Sequence, residues 1–154
     1  MTTTLLCTDG SETAINAITS GLAVLAPADR TVVVTVVDSM SVPLAVGAVG
    51  FASTVTVGTP QYDAELEEAR RTAASAALDE TLSAAGLAGR AGIESVVLEG
   101  DPGRALCEYA EQVGATVLVM GTRGHGGLKR AVLGSVSDYV VRNAPCPVLI
   151  TTVS

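Results

Sequence analysis

Residues 31 to 37 read Thr-Val-Val-Val-Thr-Val-Val, an unbroken β-branched run with no polar alternation. Side chains branched at Cβ are stiff and favour the extended chain, so the run is a strand. A strand that offers no polar face has none to turn toward water. It must be covered on both sides, which is the situation of a central strand in a parallel sheet flanked by helices.

The rest of the chain supplies such a sheet. Thr4 to Thr8 is a short apolar run closed by Asp9-Gly10-Ser11, after which Ala14, Ile15, Ala17, Ile18, Leu22 and Leu25 recur at helical spacing. Pro27-Ala-Asp29 ends that helix before the 31–37 strand. Asp63 to Ala85 is rich in Ala, Glu, Arg and Leu, which predicts a helix with Leu66, Ala69, Ala73, Ala77 and Leu82 along one side. Ile93 to Leu98 is a third strand, and Asp101 is placed to cap a helix starting at Pro102 whose buried stripe is Leu106, Tyr109, Ala110 and Val113. A fourth strand at 115–120, a helix from Val136 to Asn143 and a fifth strand within Pro145 to Val153 complete the pattern. Alternating β and α elements of this size predict a doubly wound α/β sheet with helices on both faces. Ser39 to Tyr62 contains no charged residue but is interrupted by Pro43, Gly47, Gly50, Gly58 and Pro60. It reads as a long loop that covers a ligand, packs on a partner or stays disordered.

Length and charge narrow the function. The 154 residues suit one domain, 1–154, and 48% hydrophobic against 16% charged residues excludes a disordered chain. No apolar run reaches the 18 residues of a membrane span, and the N-terminus lacks a basic leader, so a cytoplasmic protein without membrane attachment is expected. A net charge of −7 disfavours nucleic acid. Cys7, Cys107 and Cys146 are far apart in sequence and form no Cys-x-x-Cys pair, which suits small packed residues rather than a disulfide framework or a zinc site.

One segment reverses the charge. Between residues 121 and 142 stand Arg123, Lys129, Arg130 and Arg142 against Asp138 alone, a local +3 that leaves −10 on the remainder. The same segment carries Gly121, Gly124, Gly126, Gly127 and Gly134, then Ser135, at a strand-to-helix turn. Glycines let main-chain N–H groups approach an anion closely, and turns of this kind lie where ligands bind in parallel α/β sheets. Ser135 serves either as a phosphate donor at the positive end of the last helix or as its N-cap. Asp9 serves either as a ligand group or as a helix start, with Glu12 three residues on. Arg123 and Arg130 suit phosphate or solvent, and His125 is a phosphate contact or an ordinary loop residue. A Walker A loop is excluded because Gly127 is followed by Leu128 and the sole lysine is Lys129. The dinucleotide fingerprint fails as well, since the first strand-to-helix turn holds one glycine, Gly10.

Gly121-x2-Gly124-x9-Gly134-Ser135 resembles the ATP-binding signature of the universal stress protein family. Thr8-Asp9-Gly10-Ser11, Glu99-Gly-Asp-Pro102 and Asn143-Ala-Pro-Cys-Pro-Val148 are similar to the family pattern too. The resemblance covers essentially the whole chain. It implies a five-stranded Rossmann-like sheet in the order 3-2-1-4-5, with nucleotide across the carboxyl ends of strands one and four. It also implies a binding set of Thr8, Asp9, Val36, Met120, Gly121, Thr122, Arg123, Gly124, His125, Gly126, Gly134, Ser135, Val136 and Ser137. Within that set Gly121, Gly124, Gly134 and Ser135 would meet phosphates and ribose, Asp9 would sit by the adenosine and the Val36 backbone by the adenine. The chain departs from the family at Thr35, where many members have His, and at Cys7, where Pro is common.

The implied ligand is ATP, with AMP or ADP as alternatives and Mg2+ accompanying the phosphates, held by Asp9 or Asp101. No positioned base for hydrolysis is evident. Nucleotide-dependent regulation is therefore the leading expectation, ahead of slow hydrolysis or adenylyl transfer and of a scaffold with a vestigial pocket. The apolar terminal strand, Val148 to Val153, suggests a homodimer.

Overall fold

The computed structural model describes residues 1–38, 60–122 and 133–152, with side chains in the second stretch from residue 64 onward. Five strands, β1 (Thr3–Cys7), β2 (Arg30–Val37), β3 (Ile93–Glu99), β4 (Val117–Gly121) and β5 (Val148–Thr151), form one parallel sheet in the order β3-β2-β1-β4-β5. Four helices connect them: α1 (Glu12–Val24), α2 (Pro60–Ala84), α3 (Pro102–Gln112) and α4 (Ser135–Asn143). The α/β class, the parallel sheet and its order agree with the expectation from sequence. Of the uncharged stretch 39–62, residues 39–59 lie outside the described residues and the remaining positions are the first turn of α2.

Register explains why the centre of the sheet is apolar throughout. Leu5 lies beside Val32 and Leu118, and Leu6 beside Val33 and Val119. Successive strand residues point to opposite faces. Leu5, Cys7, Val32, Val34, Leu118 and Met120 therefore join Leu106 and Ala110 of α3 and Val140 of α4 in one core. Leu6, Val33 and Val119 join Ile18 of α1 and Leu78 of α2 in the other. Full burial of each such aliphatic side chain contributes about 1.5–3 kcal/mol relative to leaving it in water.

The helix stripes follow the two cores. On α3 the expected stripe holds, with Leu106 and Ala110 buried and Tyr109 and Val113 packed beside them. On α2 it shifts. Ala69 and Ala73 face solvent, and the inner stripe runs through Ala74, Ala77, Leu78, Thr81 and Leu82. Alanine has too little surface to mark a face, so its spacing misleads where Leu78 and Thr81 make the contact.

Gly21 shows how closely α1 seats on the sheet. A Cβ at this position would collide with the Cγ1 of Val119, so only glycine fits between helix and strand β4. Gly21→Ala should lower unfolding free energy by about 1–3 kcal/mol, the range for overpacking a core. Urea denaturation with an unchanged m-value measures it, and a stability equal to wild type would refute the close fit.

Candidate functional site

Strand order reverses between β1 and β4, because the chain winds outward from β1 through β2 to β3 and then returns to β4 and β5. The loops leaving these two strands must diverge, and a crevice opens at their carboxyl ends. A cavity of about 420 Å3 occupies that place. Its wall comes from Cys7 of β1, Ala14 of α1, Val34, Thr35 and Val36 of β2, Met120 and Gly121 of β4, Pro102 and Leu106 of α3, and Ser135, Val136 and Ser137 of α4, with Thr8, Asp9 and Gly134 at the loop ends.

The turn after β1 is shaped by its own side chains. Thr8 Oγ1 accepts from Gly10 N at 3.0 Å, and Asp9 Oδ1 accepts from Ser11 N at 3.0 Å and from Ser11 Oγ at 2.6 Å. Ser11 Oγ in turn accepts from Ala14 N, so Ser11 and not Asp9 caps α1. Asp9 is thereby set one layer behind the cap, at the cavity. Gly10 has φ +78°, a left-handed conformation that suits glycine.

The second shoulder of the cavity is built around Thr122. Its carbonyl accepts from Gly134 N at 2.8 Å and from Ser137 Oγ at 2.9 Å. Residues 122 and 134 are thus joined, and both ends of the glycine-rich segment are held at the foot of α4. The hydroxyl of Ser137, 2% exposed, is committed to this closure and reaches Gly134 O at 3.0 Å as well. Gly134 is the N-cap of α4 and brings no side-chain hydrogen bond, whereas α1 and α3 are capped by Ser11 and Asp101. Ser135 is the first helical residue rather than the cap, and it is exposed at the cavity mouth. A helix start without a side-chain acceptor leaves its N–H groups and dipole directed at whatever enters.

Nine of the fourteen residues expected to bind line this one cavity: Thr8, Asp9, Val36, Met120, Gly121, Gly134, Ser135, Val136 and Ser137. Thr122 stands behind it as the closing acceptor. Arg123, Gly124, His125 and Gly126 lie outside the described residues, as do Lys129 and Arg130. Asp101 does not line the cavity; its carboxylate accepts from Arg104 N at 2.9 Å as the cap of α3. Val34, Thr35, Pro102, Leu106, Ala14 and Cys7 line it without having been assigned to it. Pro102 carried a signal as the last residue of the Glu99-Gly-Asp-Pro102 motif, and Thr35 and Cys7 as the positions where the chain departs from the family pattern. Among the described residues no group of three or more His, Cys, Asp or Glu could hold a metal ion.

The cysteines converge from β1, α3 and the connection between α4 and β5. Cys7 is buried, with Cys107 and Cys146 half-buried in the same core. Burial pushes the Cys7 thiol far above its ordinary range, with further upward contributions from Cys107 and Cys146. Desolvation raises Cys107 and Cys146 too. All three are therefore neutral thiols at pH 8, and alkylation followed by mass spectrometry should find each slower than a free thiol, Cys7 slowest. Rapid labelling of Cys7 in the native protein would contradict its burial.

A doubly wound parallel sheet with a mostly apolar cavity at its switch point defines an α/β protein with one candidate ligand site among the described residues. The model of the universal stress protein family matches residues 1–152, and the chain belongs to that family. A 58-residue stretch is 48% identical to universal stress protein MJ0531 of Methanocaldococcus jannaschii, covering 38% of this chain and 34% of that protein. A 57-residue stretch is 40% identical to universal stress protein YxiE of Bacillus subtilis, covering 37% and 38%. The matched stretches thus span little more than a third of these relatives. Among solved structures, universal stress protein UspA from Lactobacillus plantarum superposes with a TM-score of 0.72 at 22% identity over 97% of this chain and 96% of that one. A universal stress protein in complex with cAMP superposes at 0.63 with 26% identity, covering 99% and 98%. A family protein from Arabidopsis thaliana with AMP bound superposes at 0.56 with 17% identity, covering 97% and 90%.

Proposed function

We propose that this protein binds an adenine nucleotide in the β1/β4 cavity and works as a nucleotide-dependent regulatory protein rather than a rapid catalyst. The carrying observation is the cavity's two-sided chemistry. Apolar side chains of Val34, Val36, Leu106, Pro102 and Val136 line it, a surface suited to a base. The opposite requirement, a seat for anionic phosphate, is met by the glycine-capped start of α4 beside Gly121 and Ser135. Solved relatives that hold cAMP and AMP support the same ligand class.

ATP is the favoured ligand, with AMP and ADP as shorter alternatives, because the Gly121-to-Ser135 signature supplies glycines and cations for more than one phosphate. Mg2+ would accompany a triphosphate as a bound partner of its oxygens, next to Asp9 at the cavity edge. Asp9, Ser135 and the loop residues Arg123, Gly124, His125 and Gly126 are assigned to nucleotide contact in this reading. β5 stands at one edge of the sheet, which suits pairing with a second copy. No helix among the described residues is long and apolar enough to cross a membrane.

Two measurements decide the matter. Nucleotide released from denatured, freshly purified protein, and calorimetric titration with ATP and AMP, should both be positive; two blank results would end the proposal. Gly134→Val should abolish binding by filling the foot of α4, while sedimentation still reports a mass about twice that of the chain, as an isologous dimer requires. Wild-type affinity in Gly134→Val would place the ligand elsewhere.

A further inference from the structure

No described side chain of α2 lines the cavity, yet α2 is hydrogen-bonded to the turn that does. Thr81 of α2 is fully buried, at 0% exposure, beside Leu78 and Leu82. Valine has the same shape and would fill this space, so packing alone does not account for a hydroxyl here. A buried hydroxyl left without partners is destabilising. That of Thr81 has two: Ala77 O at 2.7 Å and Thr8 Oγ1 at 3.2 Å.

The direction of every bond in this chain is determined. Gly10 N–H can only donate, so Thr8 Oγ1 accepts from it. Ala77 O can only accept, so Thr81 spends its one proton there. Thr8 must then be the donor to Thr81. The result is a single ordered path from the Gly10 amide through both hydroxyls to the α2 backbone. A second contact enforces the same placement: a Cβ on Gly10 would lie 2.7 Å from the Cβ of Ala77. The turn is therefore backed by α2 on the side away from the cavity.

We propose that Thr81 is a positioning residue for the ligand site, holding Thr8 and Gly10 so that the Asp9 peptide and carboxylate keep the geometry that receives the ligand. The nucleotide reading given above supplies the ligand. By linkage, occupancy of the cavity stabilises this same path and is felt by α2. Removing the acceptor frees the Thr8 hydroxyl to rotate away from α2, and the Gly10 amide loses the oriented oxygen it bonds.

Thr81→Val and Thr81→Ser test the assignment with two readouts: exchange of the Gly10 amide in ligand-free protein, and calorimetric affinity for AMP and ATP. Thr81→Val should speed Gly10 exchange and weaken nucleotide binding, each by about fivefold to tenfold, the equivalent of one lost hydrogen bond. Thr81→Ser, which keeps the hydroxyl, should stay within about twofold of wild type in both. A purely packing role predicts the reverse order, because serine leaves a methyl-sized gap that valine fills. Wild-type exchange and affinity in Thr81→Val would overturn the proposal. If that variant fails to fold, Thr81→Cys, with a weak acceptor of similar size, should fall between Ser and the expected Val values, and wild-type behaviour there would be equally fatal. Wild-type protein that binds neither nucleotide would remove the nucleotide reading, while Gly10 exchange would still decide whether Thr81 holds the turn.

Discussion

Burial of β1 on both faces is the constraint from which the other features descend. Leu5 and Leu6 point in opposite directions, and both are fully enclosed. Neither helix layer can cover both, so α1 and α2 must pack on one side and α3 and α4 on the other. Helices on two sides require the chain to wind in two directions from the centre, and that reversal opens the crevice beside β1. The cavity is thus a consequence of how the core is closed.

The edges of the cavity are held by short polar devices rather than by apolar packing. Thr8, Asp9 and Ser11 stiffen the turn after β1 through side chain to main chain bonds. Ser137 and Gly134 gather on the Thr122 carbonyl to shut the base of the segment between β4 and α4. Hydrogen bonds are directional where hydrophobic contacts are not, so a few of them can set backbone positions that a ligand must meet. Membership of the universal stress protein family agrees with this arrangement along residues 1–152.

Much of this was legible in the residues themselves. The β-branched run 31–37 announced a strand buried on both faces, and Asp101-Pro102 marked the start of α3. Other features were not readable locally. The α2 stripe was misplaced at Ala69 and Ala73 because alanine has too little apolar surface to mark which face of a helix is buried. Ser135 and Asp9 each allowed a reading as a cap beside one as a ligand group, and the caps are Gly134 and Ser11, since an offset of one or two residues at a helix start leaves composition unchanged.

Local composition and spacing decided the α/β class, the element sequence and the glycine-rich segment with its local positive charge, because periodicity and backbone freedom are properties of neighbouring residues. Tertiary structure alone brought Ala14, Val34 and Leu106 around one cavity with Thr8 and Gly121, and placed Thr81 against Thr8 across 73 positions of chain. Such contacts depend on strand order and on how each helix seats on the sheet, and both are settled by the packing of the whole core.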